Sequence, residues 1–252
     1  VLFRSDIGIA MGKRGSEVSR EAADLILLDD NFSTIVDTVK DGRRIYDNIR
    51  KAIGYVFVIH IPIAFASLLA PLLGISASSL LLLPVHVVLL ELLIDPTCSI
   101  VLERQPAESD IMNRKPRDPR EGILTSKVLV KSIIQGVVLF AASFGTYYYY
   151  LESGIELARS MGLAIIMISN LLLVQVNSSN SELAYKSIIK LRKDKVMWSV
   201  AIGTIVGLAI ILYTPLSGFL GLLPLGTSEI LKVCGISLVS ILWYEVVKLF
   251  KK

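Results

Sequence analysis

Charge is what this chain has least of. Only 19% of its 252 residues are Asp, Glu, Lys or Arg, below the roughly one quarter usual in soluble domains. Between Lys51 and Glu103 the scarcity becomes near-absence, because Glu91 and Asp95 are the only charged residues there. Three further stretches, 132–151, 160–181 and 196–228, carry no charge. Cysteine is rare as well: Cys98 and Cys234 are the only two, with no CxxC and no Cys-Pro-Cys. That spacing excludes a disulfide framework and a thiolate pair for a soft metal. Residues 1–5 have neither the basic region nor the small-residue cleavage site of a signal peptide.

What fills the chain instead is apolar. Ala, Val, Ile, Leu, Met, aromatics and Cys make up 53% of it, and the mean hydropathy is +0.64. A membrane-spanning helix needs about 20 mostly apolar residues. The runs predict six spans near 52–73, 80–102, 126–150, 157–178, 196–215 and 229–248, so that 49–252 is a transmembrane domain. The fold class is therefore mainly α, a polytopic six-helix membrane bundle. Of the 26 lysines and arginines, only Arg159 and Lys232 fall on the side reached after an odd number of spans. By the positive-inside rule both termini are cytoplasmic. The net charge of +4 and pI near 9.0 come from these flanks, so no nucleic-acid partner is needed. Lys186, Lys190, Arg192, Lys193 and Lys195 are expected to face lipid headgroups.

Against that background Glu91 and Asp95 stand out. Each acid at bilayer depth costs roughly 2.5–3.5 kcal/mol on insertion scales. Four residues apart, they lie on one helix face. Pro96 follows at once and lacks a backbone N–H, which frees the carbonyl of Leu92 one turn earlier. Two carboxylates beside a free carbonyl are an oxygen-rich site for a hard cation, and Glu91 and Asp95 are its expected metal ligands. His60, near the middle of the first span, is a further candidate. It reads as a ligand, a proton carrier or a hydrogen-bond partner of Glu91, with a packed neutral imidazole as the alternative. Asn170 in the fourth span reads as a ligand or as an interhelical hydrogen-bond donor and acceptor. His86 is expected to be structural, Glu245 to be an interfacial acid, and the Tyr147–Tyr150 run to be an aromatic belt.

The first fifty residues differ in kind. Residues 6–11 and 24–28 read as short buried strands, with a helix over 16–23 capped by Ser16 between them. Residues 33–51 read as a helix running into the first span, with a joint at Gly42. Strand, helix, strand, helix implies a parallel α/β sheet. Two strands cannot give such a sheet a core, since both faces need covering. Residues 1–48 are thus expected to be a remnant of a larger cytoplasmic domain plus its connecting stalk.

Three groups of residues carry a resemblance. Asp6-Ile-Gly-Ile-Ala-Met-Gly12, Glu21-Ala-Ala-Asp24 and Asp29-Asp-Asn-Phe-Ser-Thr-Ile-Val36 resemble the end of the phosphorylation domain of P-type cation-transporting ATPases. Gly42-Arg-Arg-Ile-Tyr-Asp-Asn-Ile-Arg50 resembles their stalk, and Asp110-Ile-Met-Asn-Arg-Lys-Pro-Arg-Asp-Pro-Arg-Glu-Gly122 the loop after their sixth helix. The resemblance is to the calcium-pump-like type. It implies a haloacid-dehalogenase-like α/β remnant followed by the family's last six helices, in a bacterial-type plasma membrane. It also implies partners: the lipid bilayer, and the actuator, nucleotide and phosphorylation domains and first four helices of the same pump. ATP and Mg²⁺ are implied as cofactors of the complete protein. The chain contains no Asp-Lys-Thr-Gly-Thr and no Thr-Gly-Asp-Gly-Val-Asn-Asp, so by itself it is expected to be inactive. Asp95 matches the acid of the Asn-x-x-x-Asp arrangement of calcium pumps, and Glu91 replaces its asparagine. Calcium is the first expectation for the ion; a proton, magnesium or a monovalent cation are the alternatives. Val1-Leu-Phe-Arg-Ser5 departs from the family and is read as translated adaptor sequence. The competing functional class is a non-enzymatic six-helix membrane protein, an accessory or channel-like remnant.

Overall fold

The computed structural model describes residues 6–118, 120–179, 183–190 and 194–250, apart from the side chains of Asp95, residues 97–99, Ser187 and Lys190. It divides into two compact units. The first comprises the chain up to Asp47 together with Pro106–Pro116; the second comprises Asn48–Gln105 and everything from Arg117 on.

In the first unit, strand β1 (Ile9–Met11) pairs in parallel with β2 (Leu25–Leu27), Ile9 opposite Leu25. Helix α1 (Glu17–Glu21) makes the crossover, and the Ser16 hydroxyl caps it by accepting from the Ser19 N–H at 3.2 Å. Such a cap satisfies one of the backbone donors that a first turn leaves unpaired. The carboxylate of Asp30 accepts the N–H groups of Lys13 and Arg14 at 2.8 and 3.0 Å, which ties the loop after β1 to the end of β2. Both strands are shorter than the runs 6–11 and 24–28 suggest. Ile7, Val18, Leu28 and Phe32 remain exposed.

The same unit holds a charged knot. Arg43 donates to the carbonyls of Ile111 and Arg114 at 2.8 and 3.1 Å. Arg114 meets Asp47 at 2.6 Å, Asp110 at 2.7 Å and Glu108 at 3.3 Å. Hydrogen bonds from the Arg114 guanidinium hold the Asp110 carboxyl below its ordinary value of 3.8. The carboxylates in turn hold Arg114 above its ordinary range. Segment 106–116 therefore groups with residues before Asp47, where the sequence reading had divided the chain at residue 48 alone.

Helix α2 runs from Thr34 to Leu72 with Pro62 and Pro71 inside it. The expected joint at Gly42 does not occur: the helix is continuous there, and nothing packs within 4 Å of where a Cβ would stand. A helix tolerates an isolated glycine at a cost near 1 kcal/mol, which the long flanking turns absorb.

The second unit contains the remaining helices: α3 (Pro84–Pro96), α4 (Ser126–Tyr150), α5 (Ile155–Asn177), α6 (Ala184–Lys190), α7 (Lys195–Tyr213), α8 (Leu216–Phe219) and α9 (Thr227–Phe250). The expected second span, 80–102, is not one regular helix. It opens only at Pro84, which suits a first helical position, and beyond Pro96 it continues as a π-helical turn, Thr97–Leu102. Pro96 has no N–H to give to the i−4 carbonyl, so regular α-helical bonding is interrupted there. Among the described residues six helical segments are long and apolar enough to cross a membrane. The protein is an integral membrane protein of mainly α fold. Helix α5 is its centre: 78% of its most apolar stretch is buried, against 22–33% in the other five. It packs on α4, α9 and α7.

Candidate ion site

The sequence proposed four ion-site residues, and the structure brings two of them together. His60 on α2 and Glu91 on α3 face one another, Nε2 to Oε1, at 3.4 Å. The other ring nitrogen, Nδ1, lies 2.8 Å from the carbonyl oxygen of Val56. A carbonyl can only accept, so Nδ1 carries the hydrogen. Nε2 then faces Glu91 attractively only when the pair holds one further proton, on the ring or on the carboxyl. Neither side chain is fully enclosed by protein: His60 is about half exposed and Glu91 about one third. Glu91 is thus a carboxylate within the apolar bundle, open enough to exchange one partner for another.

Asn170 lies on α5 and is 2% exposed. Among the described residues neither its Oδ1 nor its Nδ2 has a hydrogen-bond partner. A buried amide left unpaired costs about 1–3 kcal/mol for each unsatisfied group, so its placement favours a ligand or an ordered water. Helix α5 packs against α3 and the π-helical turn, although Asn170 makes no direct bond to Glu91 or His60. Asp95 belongs to the last turn of α3; its side chain lies outside the described residues, as do Cys98 and the basic residues Arg192 and Lys193. π-Helical turns inside α-helices are frequent at functional sites. Among the described residues no three His, Cys, Asp or Glu side chains converge.

Other expectations are revised. His86 is fully buried and structural, as expected: it accepts from the Leu83 N–H at 3.1 Å and donates to the Leu220 carbonyl at 2.8 Å. The Tyr147–Tyr150 run is only half a belt. Tyr148 and Tyr149 are exposed, but Tyr147 is buried, its hydroxyl donating to the Ser79 carbonyl, and Tyr150 accepts from Lys232 at 2.9 Å. Asn177 donates to Gln135 across α5 and α4 at 3.3 Å. Glu245 is not a simple interfacial acid. It accepts from the Ala184 N–H at 2.7 Å and pairs at 2.8 Å with Lys248, whose ammonium also donates to the carbonyl of Val176 at 2.6 Å.

Comparison with known proteins decides the family. The family model described as "Cation transporting ATPase, C-terminus" matches residues 79–250, well over half of the chain. The chain belongs to this family. A calcium-transporting ATPase of Bacillus subtilis is 30% identical over 237 residues, 93% of this chain but 26% of the relative. Sodium/potassium-transporting ATPase subunit alpha-2 of Gallus gallus is 41% identical over 167 residues, 65% of this chain and 16% of the relative. The human subunit alpha-4 is 40% identical over the same number. The chain thus spans about a quarter or less of the length of these relatives, and corresponds to the C-terminal membrane part of P-type cation-transporting ATPases.

Proposed function

We propose that the chain is the ion-translocating part of an ATP-driven cation pump of the calcium-pump-like type, with its cation held by Glu91 and Asp95. The observation that carries this reading is the Glu91 carboxylate within an apolar bundle, apposed to His60 and next to a π-helical turn. Asn170 contributes an amide oxygen with no partner among the described residues. Carboxylate, amide and backbone carbonyl oxygens suit a hard cation, and a flexible set of six to eight such oxygens suits calcium. The long match to the calcium-transporting ATPase of Bacillus subtilis favours the same choice.

In this mechanism the ion displaces His60 as the partner of Glu91, so the carboxylate exchanges one partner for another without standing bare in the membrane. Helix α2 carries His60, and α3 carries both acids. A tilt of either helix alters the 3.4 Å separation and hence the ion's coordination. The residues β1–β2 and α1 read as the end of the phosphorylation domain, with both chain termini on the cytoplasmic side. ATP and Mg²⁺ supply the driving reaction in the complete pump. This chain has no Asp-Lys-Thr-Gly-Thr run to be phosphorylated, so no step here is routed through them.

The test is ATP hydrolysis by the intact pump across calcium, magnesium, manganese, sodium, potassium and pH. Glu91→Gln and Asp95→Asn are each expected to abolish cation stimulation while leaving the protein folded. Undiminished stimulation in either variant removes that residue from the site.

A further inference from the structure

Opposite the Lys248 end of α5, one side chain holds several segments. Arg159, in the second turn of α5, is only 3% exposed. Its Nε donates to the Leu80 carbonyl at 2.9 Å and its Nη2 to the Ser78 carbonyl at 2.8 Å. Its Nη1 donates to the Gly221 carbonyl at 2.9 Å. Ser78 and Leu80 belong to the segment that joins α2 to α3, and Gly221 to the one that joins α8 to α9. None of these partners is a carboxylate.

The surroundings are shaped to this fork. Gly221 has φ +61, a left-handed conformation that favours glycine, and a Cβ there would stand 2.6 Å from Arg159 Nη1 and displace the fork. One turn further along α5, a Cβ on Gly162 would lie 2.4 Å from Leu81 Cδ1. Leu81 is therefore seated directly on the α5 backbone, beside the carbonyl that Arg159 holds. Tyr147 donates to Ser79, and the Ser160 hydroxyl accepts from the Leu223 N–H at 2.8 Å.

A buried charge hydrogen-bonded to carbonyls and not to a carboxylate is weak as a stabilising device, since an apolar side chain of similar volume commonly packs as well or better. What a guanidinium supplies is a rigid planar fork that fixes several acceptors at set angles. Here the fixed acceptors lie just before the helix that carries Glu91. Only residues 81–83 separate Leu80 from Pro84, and Glu91 follows about 10 Å along a stiff helix at about 1.5 Å per residue. A loosened start of α3 is passed on to the carboxylate.

We propose that Arg159 is a positioning residue for the ion site, acting through the Ser78 and Leu80 carbonyls on the start of α3 and so on the placement of Glu91. This rests on the assignment of Glu91 to the ion site. The test uses the intact pump and separates the half-saturating cation concentration from the maximal rate of ATP hydrolysis. Arg159→Lys keeps the charge but loses the fork, and Gly221→Ala displaces the fork from outside. Each is expected to raise the half-saturating concentration about tenfold, within the range by which residues in a coupled network shift a distant site. The maximal rate should change far less. The two changes combined are expected to do no more than Arg159→Lys alone, because both remove the same contact. Leu139→Ala, in the fully buried face of α4, is the control for a general loss of stability and should leave the half-saturating concentration unmoved. The proposal is overturned if Arg159→Lys and Gly221→Ala leave that concentration unchanged, or if Leu139→Ala raises it equally. Glu91→Gln, run alongside, separates the two readings. If it abolishes cation stimulation and Arg159→Lys leaves the half-saturating concentration unchanged, only the role of Arg159 falls. If Glu91→Gln itself has no effect, the ion-site assignment fails and takes this role with it.

Discussion

Replacing Lys248 by methionine is expected to be among the most destabilising single changes in the membrane domain. The side chain of Lys248 is 1% exposed, and that of Glu245 is 15% exposed. The ammonium lies 2.8 Å from Glu245 Oε1 and donates at 2.6 Å to the Val176 carbonyl. Val176 is in the last turn of α5, where the final four carbonyls have no partner within the helix. Methionine fills nearly the same volume, so the change creates little cavity. It strips the cap from Val176 and leaves the Glu245 carboxylate, among the described residues, with the Ala184 N–H alone.

Breaking one side of a buried pair costs about 3–5 kcal/mol, mostly through the charge left behind. Because Glu245 keeps some access to its surroundings and one N–H donor, the lower end of that range applies, about 3 kcal/mol. For a domain of this size that corresponds to a fall of roughly 6–12 °C in Tm. The measurement is thermal or denaturant unfolding of the protein in detergent, followed by helical circular dichroism. The decisive arm is Glu245→Gln combined with Lys248→Met. Glutamine still accepts from Ala184 and carries no charge, so the double variant should recover at least half of the loss. If Lys248→Met costs under about 0.5 kcal/mol, or the double variant is as unstable as the single, the pair is not a buried, coupled unit and the reasoning fails.

The charged knot of the first unit makes a milder prediction. Arg114→Ala leaves Asp47, Glu108 and Asp110 without their shared cation; the loss is held to roughly 1 kcal/mol because Asp110 is half exposed, and faster amide exchange over 106–116 is its signature. The pH dependence of the same loop follows from Asp110, whose folded-state value lies below the ordinary 3.8. Its contribution is complete above that ordinary value and is lost as the pH falls through the depressed one; amide protection over 106–116 should therefore hold at neutral pH and weaken only in strong acid, and a loss near pH 6 would contradict it. In the bundle, Gly136→Ala places a Cβ 2.6 Å from Ile61 Cδ1 and is expected to cost about 1–3 kcal/mol through overpacking, read as a lower unfolding midpoint.

How much could be seen beforehand depended on which physics sets each feature. The spanning helices were legible because apolar length is a local property: 126–150 was expected and Ser126–Tyr150 is found. Which helix sits at the centre was not. In water the most apolar helix goes inside, but lipid is as apolar as leucine and rewards no such burial. Thus α7, with a mean hydropathy of 2.2, has only 22% of its stretch buried, while α5 at 1.9 has 78%. Helix α5 is distinguished by Ser160, Gly162, Ser169 and Asn170, small or polar residues that let neighbours approach. The meeting of His60 with Glu91 was anticipated from two charges and a ring at midspan. Arg159 was seen only as one of two basic residues on its side of the bundle. Its partners are backbone carbonyls more than 60 residues away, and carbonyls have no sequence identity to read. The expected joint at Gly42 was wrong for the opposite reason, since it trusted one residue's propensity over the cooperativity of the turns around it.

The reading as an accessory or channel-like remnant, complete in itself, meets a physical objection in the first unit. A parallel strand pair is normally buried on both faces, and a two-stranded sheet is marginal even when one face is covered. Here Ile7 is 65% exposed, Leu28 78% and Phe32 67%. Each large apolar side chain left in water forgoes about 1.5–3 kcal/mol of burial. Ile7 precedes β1, and Leu28 and Phe32 follow β2, where lipid offers no remedy, because Asp24, Asp29, Asp30 and Arg14 lie in the adjoining loops. Apolar strand neighbours beside ionised loops call for cover by further protein of the kind that α/β sheets use, additional strands and helices. A pump with a phosphorylation domain supplies that cover; an isolated six-helix protein does not.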